Sequence, residues 1–208
     1  MPDETAWNAA VQVEDWAGEL RVNLVRGAAI TAFYGQHLLN YFVFKDDLGA
    51  RFHTAVTAVT IAWVAATVAL HLCLGARWRP AWLPYAAVGT DLLLTTLLLM
   101  ASDGPKSALL VLLPLIVAST AVRLNLNLVR VTLLFAAIAY GAVLVHAYEY
   151  RPDWVVPRRQ QVIFTLALGC AGLIAGQAVR RAKRLARDFQ DRIEFLGARP
   201  GSPEGGRS

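Results

Sequence analysis

The chain has 208 residues, 56% hydrophobic and 17% charged, with a net charge of +5 and a mean hydropathy of +0.44. A soluble domain carries roughly a quarter charged residues, and here the apolar residues fall in blocks, which excludes an ordinary water-soluble core. Six of the twenty Lys and Arg residues crowd between Arg180 and Arg192, a pattern that fits membrane orientation or an anionic lipid surface and not nucleic acid.

The expected fold is all-α: a polytopic membrane protein of six transmembrane helices, an N-terminal amphipathic helix and a cytoplasmic extension of the sixth helix. The start, MPDETAWNAAVQVEDWAGEL, is polar and acidic, so it is neither a cleavable signal nor a transit peptide. Residues 1–26 read as an interfacial helix, with Trp7, Val11, Trp16, Leu20 and Leu24 mostly on one side and Glu14, Asp15 and Glu19 elsewhere. A docking surface for another protein is the alternative reading of that face.

The first span, 27–44, is bounded by Arg26 and Lys45; the second, 53–76, ends at the basic and aromatic run Arg77-Trp78-Arg79-Pro80. The third, 81–102, is 22 residues long, ~33 Å as a helix and enough to cross a hydrocarbon core. Asp103-Gly104-Pro105-Lys106 joins it by a tight turn to the fourth, 107–122, which Pro114 is expected to kink by removing a bond to the Leu110 carbonyl. The fifth is 131–148 and the sixth 162–179. With both termini in the cytoplasm, fourteen Lys and Arg residues fall on that side and six on the other, the bias expected of a bacterial inner-membrane protein.

Beyond the sixth span, residues 180–196 continue the helical pattern, with Ala182, Leu185, Phe189, Ile193 and Leu196 three and four apart. Arg180, Arg181, Lys183, Arg184 and Arg187 give this basic juxtamembrane helix a partner-binding or lipid-binding surface. Residues 197–208, GARPGSPEGGRS, read as a disordered tail.

Asp91 sits in the middle of the third span, where a carboxylate costs roughly 2.5–3.5 kcal/mol on insertion scales. It is expected to face the bundle, protonated or partnered, with Thr95 one turn on along the same face. Two roles compete for Asp91: a ligand-contacting or proton-responsive group, and a packing hydrogen bond between helices. On the first span Tyr34, His37, Asn40, Tyr41 and Phe44 share a face, and His146 falls on the same side of the membrane. That stripe suits a quinone head group, or a metal or haem if His146 comes close; no ligand-spacing motif supports a metal, and none is expected. Plain interfacial anchoring by Tyr and His is the competing explanation.

Gly169, Gly172 and Gly176 form a small-residue face on the sixth span, for packing within the bundle or across a homodimer. Cys73 and Cys170 have no CxxC spacing, and no Walker loop, HExxH or GxSxG occurs, so an enzyme is not expected.

The layout resembles the membrane sensor portion of multi-pass sensor histidine kinases, the group that includes quinone-responsive redox kinases. The features that carry it are Glu19-Leu20-Arg21 to Arg26, Gly89-Thr90-Asp91-Leu92, the turn Ser102 to Ser107 before Leu109-Leu110, and the basic helix after the sixth span. In redox members the corresponding turn is glycine-rich, ends Asn-Pro-Phe and is tied to quinone sensing. Gly104 matches, while Ser107, Ala108 and Leu109 replace the last three. The resemblance implies a sensor half without an output half, with Gly104 and Ser107 among its ligand residues. The expected function is a stand-alone membrane sensor or signalling adaptor that detects a membrane-soluble ligand or bilayer state and relays it to a separate cytoplasmic partner. A small proton- or ion-coupled carrier using Asp91, and a structural membrane protein without ligand, are the alternatives.

Overall fold

The computed structural model describes residues 4–43, 50–76 and 80–197, and all its long elements are helices. These are α1 (Glu4–Phe42), α2 (Ala50–Gly75), α3 (Leu83–Ala101), α4 (Leu112–Ser119), α5 (Leu126–Tyr150) and α6 (Arg158–Gly197). Four of them hold apolar stretches long enough to cross a membrane: Phe52–Gly75, Leu83–Ala101, Leu126–Tyr150 and Arg158–Phe189. Ala108–Arg123 is a shorter apolar stretch, and α1 is not among the four. The basic Arg77–Arg79 boundary, the acidic Asp46-Asp47 pair and the tail beyond Gly197 lie outside the described residues, as do the side chains of Trp7, Val11 and Trp16.

Local chemistry fixes the helix ends. Pro84 stands in the first turn of α3, where a missing N–H breaks no bond. Asn125 caps α5, its side-chain oxygen accepting from the N–H groups of Asn127 and Leu128 at 3.0 and 3.2 Å. α1 runs unbroken through Arg26 and Gly27, where the sequence suggested the change from interfacial helix to first span.

α5 is the central element. It packs against α3, α4 and α6, while α4 also lies on α6. Leu99, Leu113, Val117, Leu128, Ala136 and Leu168 form the centre of this core. α2 packs on α1 and α3 and leaves most of its apolar surface outward, as a helix in lipid does. Two glycines of the α6 face pack inside the bundle: a Cβ added to Gly172 would lie 2.5 Å from Leu133 Cδ2, and one on Gly176 would lie 3.6 Å from Leu126 Cδ1, while Gly169 has nothing within 4 Å.

The fourth apolar segment is not one α-helix. It is built of two 3-10 turns, Ala108–Val111 and Thr120–Arg123, flanking the eight α-helical residues of α4. Because a 3-10 turn rises ~2.0 Å per residue against ~1.5 Å for an α-helix, the segment spans about 28 Å. Pro114 falls in the first turn of α4 rather than mid-helix, so the expected kink is replaced by the change of helix type at Leu112.

The α3–α4 turn is pinned to the α5–α6 turn. Gly104 adopts φ +57° under the Trp154 indole, and the Lys106 ammonium donates to the Asp153 carbonyl. A Cβ at Gly104 would stand 3.2 Å from Trp154 Cε3 in a left-handed backbone, so both space and conformation demand glycine. Gly104→Ala is expected to destabilise the protein by about 1–2 kcal/mol. Gly169→Ala, where nothing lies within 4 Å, should leave thermal unfolding in nanodiscs unchanged or raised.

Candidate functional site: a polar tether and a lateral groove

α1 and α2 run antiparallel, and their polar side chains meet at matched depths. The Asn23 amide donates to the Thr67 carbonyl at 3.2 Å, the Tyr34 and Thr57 hydroxyls lie 3.3 Å apart, and His37 Nε2 is 3.0 Å from His53 Nδ1. Eight residues separate Thr67 from Gly75, so α2 continues ~12 Å past the level of Asn23. α1 therefore accompanies α2 from well before Gly27, and Arg26 is buried between the helices.

Asp91 is partnered, and its chief partner is Arg26. Arg26 Nε donates to Asp91 Oδ2 at 3.1 Å and Nη2 donates to the same oxygen, while Trp63 Nε1 donates to Oδ1 at 2.8 Å. Arg26 Nη1 donates to the Asn23 side-chain oxygen at 3.1 Å. One chain of bonds thus joins α1, α2 and α3 at mid-bundle. The side chains of Arg26 and Asp91 are 7% and 13% exposed, so each charge relies on the other rather than on water. A guanidinium suits this place because its planar fork serves Asp91 and Asn23 at once.

Beside this tether lies a groove of about 580 Å³, within the size range of small-molecule sites. Val25, Ala29, Ile30 and Phe33 of α1 form one wall, and Leu112, Leu115 and Ile116 of α4 form the other. Arg26, Trp63 and Asp91 line it at mid-length, Arg21 and Val22 line one end, and Gln36, His37 and Asn40 line the end toward the C-terminus of α1. Among the described residues, the closest approach of α1 to the α4 segment is at Thr120–Arg123. Val25, Val111 and Leu115, each more than half exposed, mark the groove's side opening.

The residues singled out in the sequence separate into three groups. His37 and Asp91 both line the groove, and Tyr41 stands behind His37 with its ring stacked on His53 at 4.0 Å. Thr95 is fully buried, and its hydroxyl has no hydrogen-bond partner among the described residues. Gly104, Ser107 and His146 lie elsewhere. Gly104 packs under Trp154, Ser107 accepts from the Leu109 N–H at 3.2 Å, and His146 sits 5.2 Å from the Tyr150 ring. Among the described residues, no three His, Cys, Asp or Glu side chains converge to hold a metal.

Asn23, Arg26 and Trp63 are the tether residues that the sequence reading did not place at the site. Their signal was present but faint: Asn23 and Arg26 are three apart on one helical face, and Trp63 and Thr67 are four apart on the next. Only an antiparallel register between the two helices connects them.

Asp91→Leu leaves the Arg26 guanidinium buried without its anion and is expected to cost about 3–5 kcal/mol. Replacing both partners, as Arg26→Met with Asp91→Leu, should recover most of that loss. Equilibrium unfolding of the two variants in nanodiscs measures the difference, and equal losses would show that the pair does not act as a unit.

Compared with protein-family models, with curated proteins and with solved structures, the chain matches none.

Proposed function

We propose that this chain is a six-crossing sensor or signalling adaptor of a bacterial inner membrane, which takes a membrane-soluble ligand into the α1–α4 groove and relays its presence through α6. The observation that carries this reading is the nature of the groove's far wall. α4 has only eight α-helical residues between two 3-10 turns, and it packs directly on α6. A short, interrupted helix between a cavity and a long helix is a natural moving part, because 3-10 turns have weaker hydrogen bonds than the α-helix they border.

α6 supplies the output. It has 40 residues, ~60 Å, about twice the thickness of a hydrocarbon core. Past Val179 it leaves the bundle, and Arg180, Arg181, Lys183, Arg184 and Arg187 are all exposed, with Leu185 and Phe189 between them. This is the surface assigned to a separate cytoplasmic partner. Both termini fall on the cytoplasmic side in this arrangement, in keeping with the Lys and Arg bias.

Six crossings require α1 and the α4 segment to join the four long apolar helices. The α4 segment reaches about 28 Å through its 3-10 turns, and Asn23, Arg26 and His37 of α1 are bonded to α2 and α3. The state of Asp91 favours a sensor over a carrier, since both its oxygens are held by Arg26 and Trp63.

Deleting Arg180–Leu196 should abolish binding of the partner while leaving ligand occupancy of the groove unchanged. Co-purification from native membranes, read together with the lipid content of the purified protein, checks both halves. Retained partner binding in the deletion variant would remove α6 as the output.

A further inference from the structure

Arg21 gives the groove a chemistry that the charges at its middle do not. Arg26 and Asp91 are bound to each other, whereas among the described residues no hydrogen bond or ion pair engages Arg21. Ala17, Gly18, Leu24 and Val25, three and four positions from it on α1, are uncharged, so its own helix face supplies no neighbouring anion. Arg21 stands two residues before Asn23, which bonds to Thr67, and α2 runs on to Gly75. In the six-crossing arrangement Arg21 therefore roots ~9 Å inside the end of α2, where a guanidinium without an anion is costly. From that end the groove walls are apolar, with Val25, Ala29 and Phe33 on α1 facing Leu112 and Leu115 on α4. Arg21 to Phe33 is twelve residues, ~18 Å, slightly more than the ~15 Å depth of one leaflet.

From these features we infer that the groove binds a single-chain anionic amphiphile, its carboxylate or phosphate head held by Arg21 and its hydrocarbon chain lying between α1 and α4 toward Phe33. The planar fork of a guanidinium serves either oxyanion through paired, charge-assisted hydrogen bonds. A cationic head is repelled there, and a neutral head forgoes the charge. The chain passes the Arg26–Asp91 pair without meeting a bare charge, because each of those groups compensates the other. A volume of about 580 Å³ is that of a site for one small molecule. Val25, Val111 and Leu115 leave the side open, so the chain enters from the bilayer without crossing water. With the N-terminus cytoplasmic, as proposed above, the ligand comes from the cytoplasmic leaflet. This inference rests on the sensor reading and adds the chemistry of its ligand.

The test uses the full chain in phosphatidylcholine nanodiscs at a pH where free carboxylic acids are ionised. The probes are oleate, oleoyl lysophosphatidate, monoolein and oleoyl lysophosphatidylcholine. Oleate, lysophosphatidate or both should bind at one per chain, about tenfold more tightly than monoolein or lysophosphatidylcholine. Which of the two anions binds separates a carboxylate head from a phosphate head. Arg21→Gln should abolish the preference for anions and Arg21→Lys should keep most of it, both leaving monoolein binding unchanged. Ala29→Phe and Leu115→Trp, which fill the groove from opposite walls, should each weaken anion binding about tenfold with thermal unfolding unchanged. Equal binding of monoolein and the anions, or an anion preference that survives Arg21→Gln, overturns the anionic head. Failure of every probe to respond to either filling overturns the amphiphile site altogether. Hydrogen exchange of α4 and of residues 180–196, with and without the bound anion, reads the relay separately. Binding that leaves both segments unchanged refutes the sensor reading and leaves the ligand site standing.

Discussion

Arg26 and Asp91 set the conditions under which everything else in this bundle operates. Each charge alone would be costly in a low-dielectric interior, and their attraction offsets that cost only in a close, well-bonded geometry. The geometry is met with Nε and Nη2 on one carboxylate oxygen and the Trp63 indole on the other, while Asn23 takes a further guanidinium N–H. Because these groups come from α1, α2 and α3, satisfying them fixes the depth at which each helix sits. A shift of α1 by one residue along its axis would break the ion pair, the Asn23–Thr67 bond and the His37–His53 bond together.

That constraint fixes the level at which α1 packs on α2. The interior of the molecule is the cluster of α3, α4, α5 and α6, dominated by Leu, Val and Ala. α1 joins it by packing on α2 and by polar bonds to α2 and α3, and among the described residues its main approach to the α4 segment is at Thr120–Arg123. A helix held along one side by directional bonds and free along the other leaves a gap, and the groove is that gap. The groove is therefore a consequence of how α1 is attached. Its depth is polar because the attachment is polar.

The 3-10 turns of the fourth segment have a related origin. Tightly anchored ends, Gly104 under Trp154 on one side and Leu124 in a left-handed turn at φ 50° on the other, leave sixteen residues from Ala108 to Arg123 to cover the distance. Extension into 3-10 geometry makes up the difference at the cost of poorer hydrogen bonds. α4 borders the groove and touches α6, so this less regular element lies between the cavity and the helix that leaves the bundle.

Composition and block hydrophobicity were sufficient for the helical class, for the four long apolar stretches and for the continuation of α6 beyond Val179, because these depend only on how many apolar residues lie in a row. The interior placement of Asp91 was also legible, since a mid-span carboxylate has no other tolerable position. What the linear order did not contain was its partner. Arg26 looked like a boundary marker because an arginine beside an apolar run usually is one, and its true depth follows from the register of α1 on α2. The glycine face of α6 was likewise visible as a face, but the packing of Gly172 on Leu133 and of Gly176 on Leu126 was decided by the fold. Hydropathy is a property of each residue and its neighbours in sequence, whereas an ion pair 65 residues apart belongs to two helices at once, and only the folded bundle brings them to the same level.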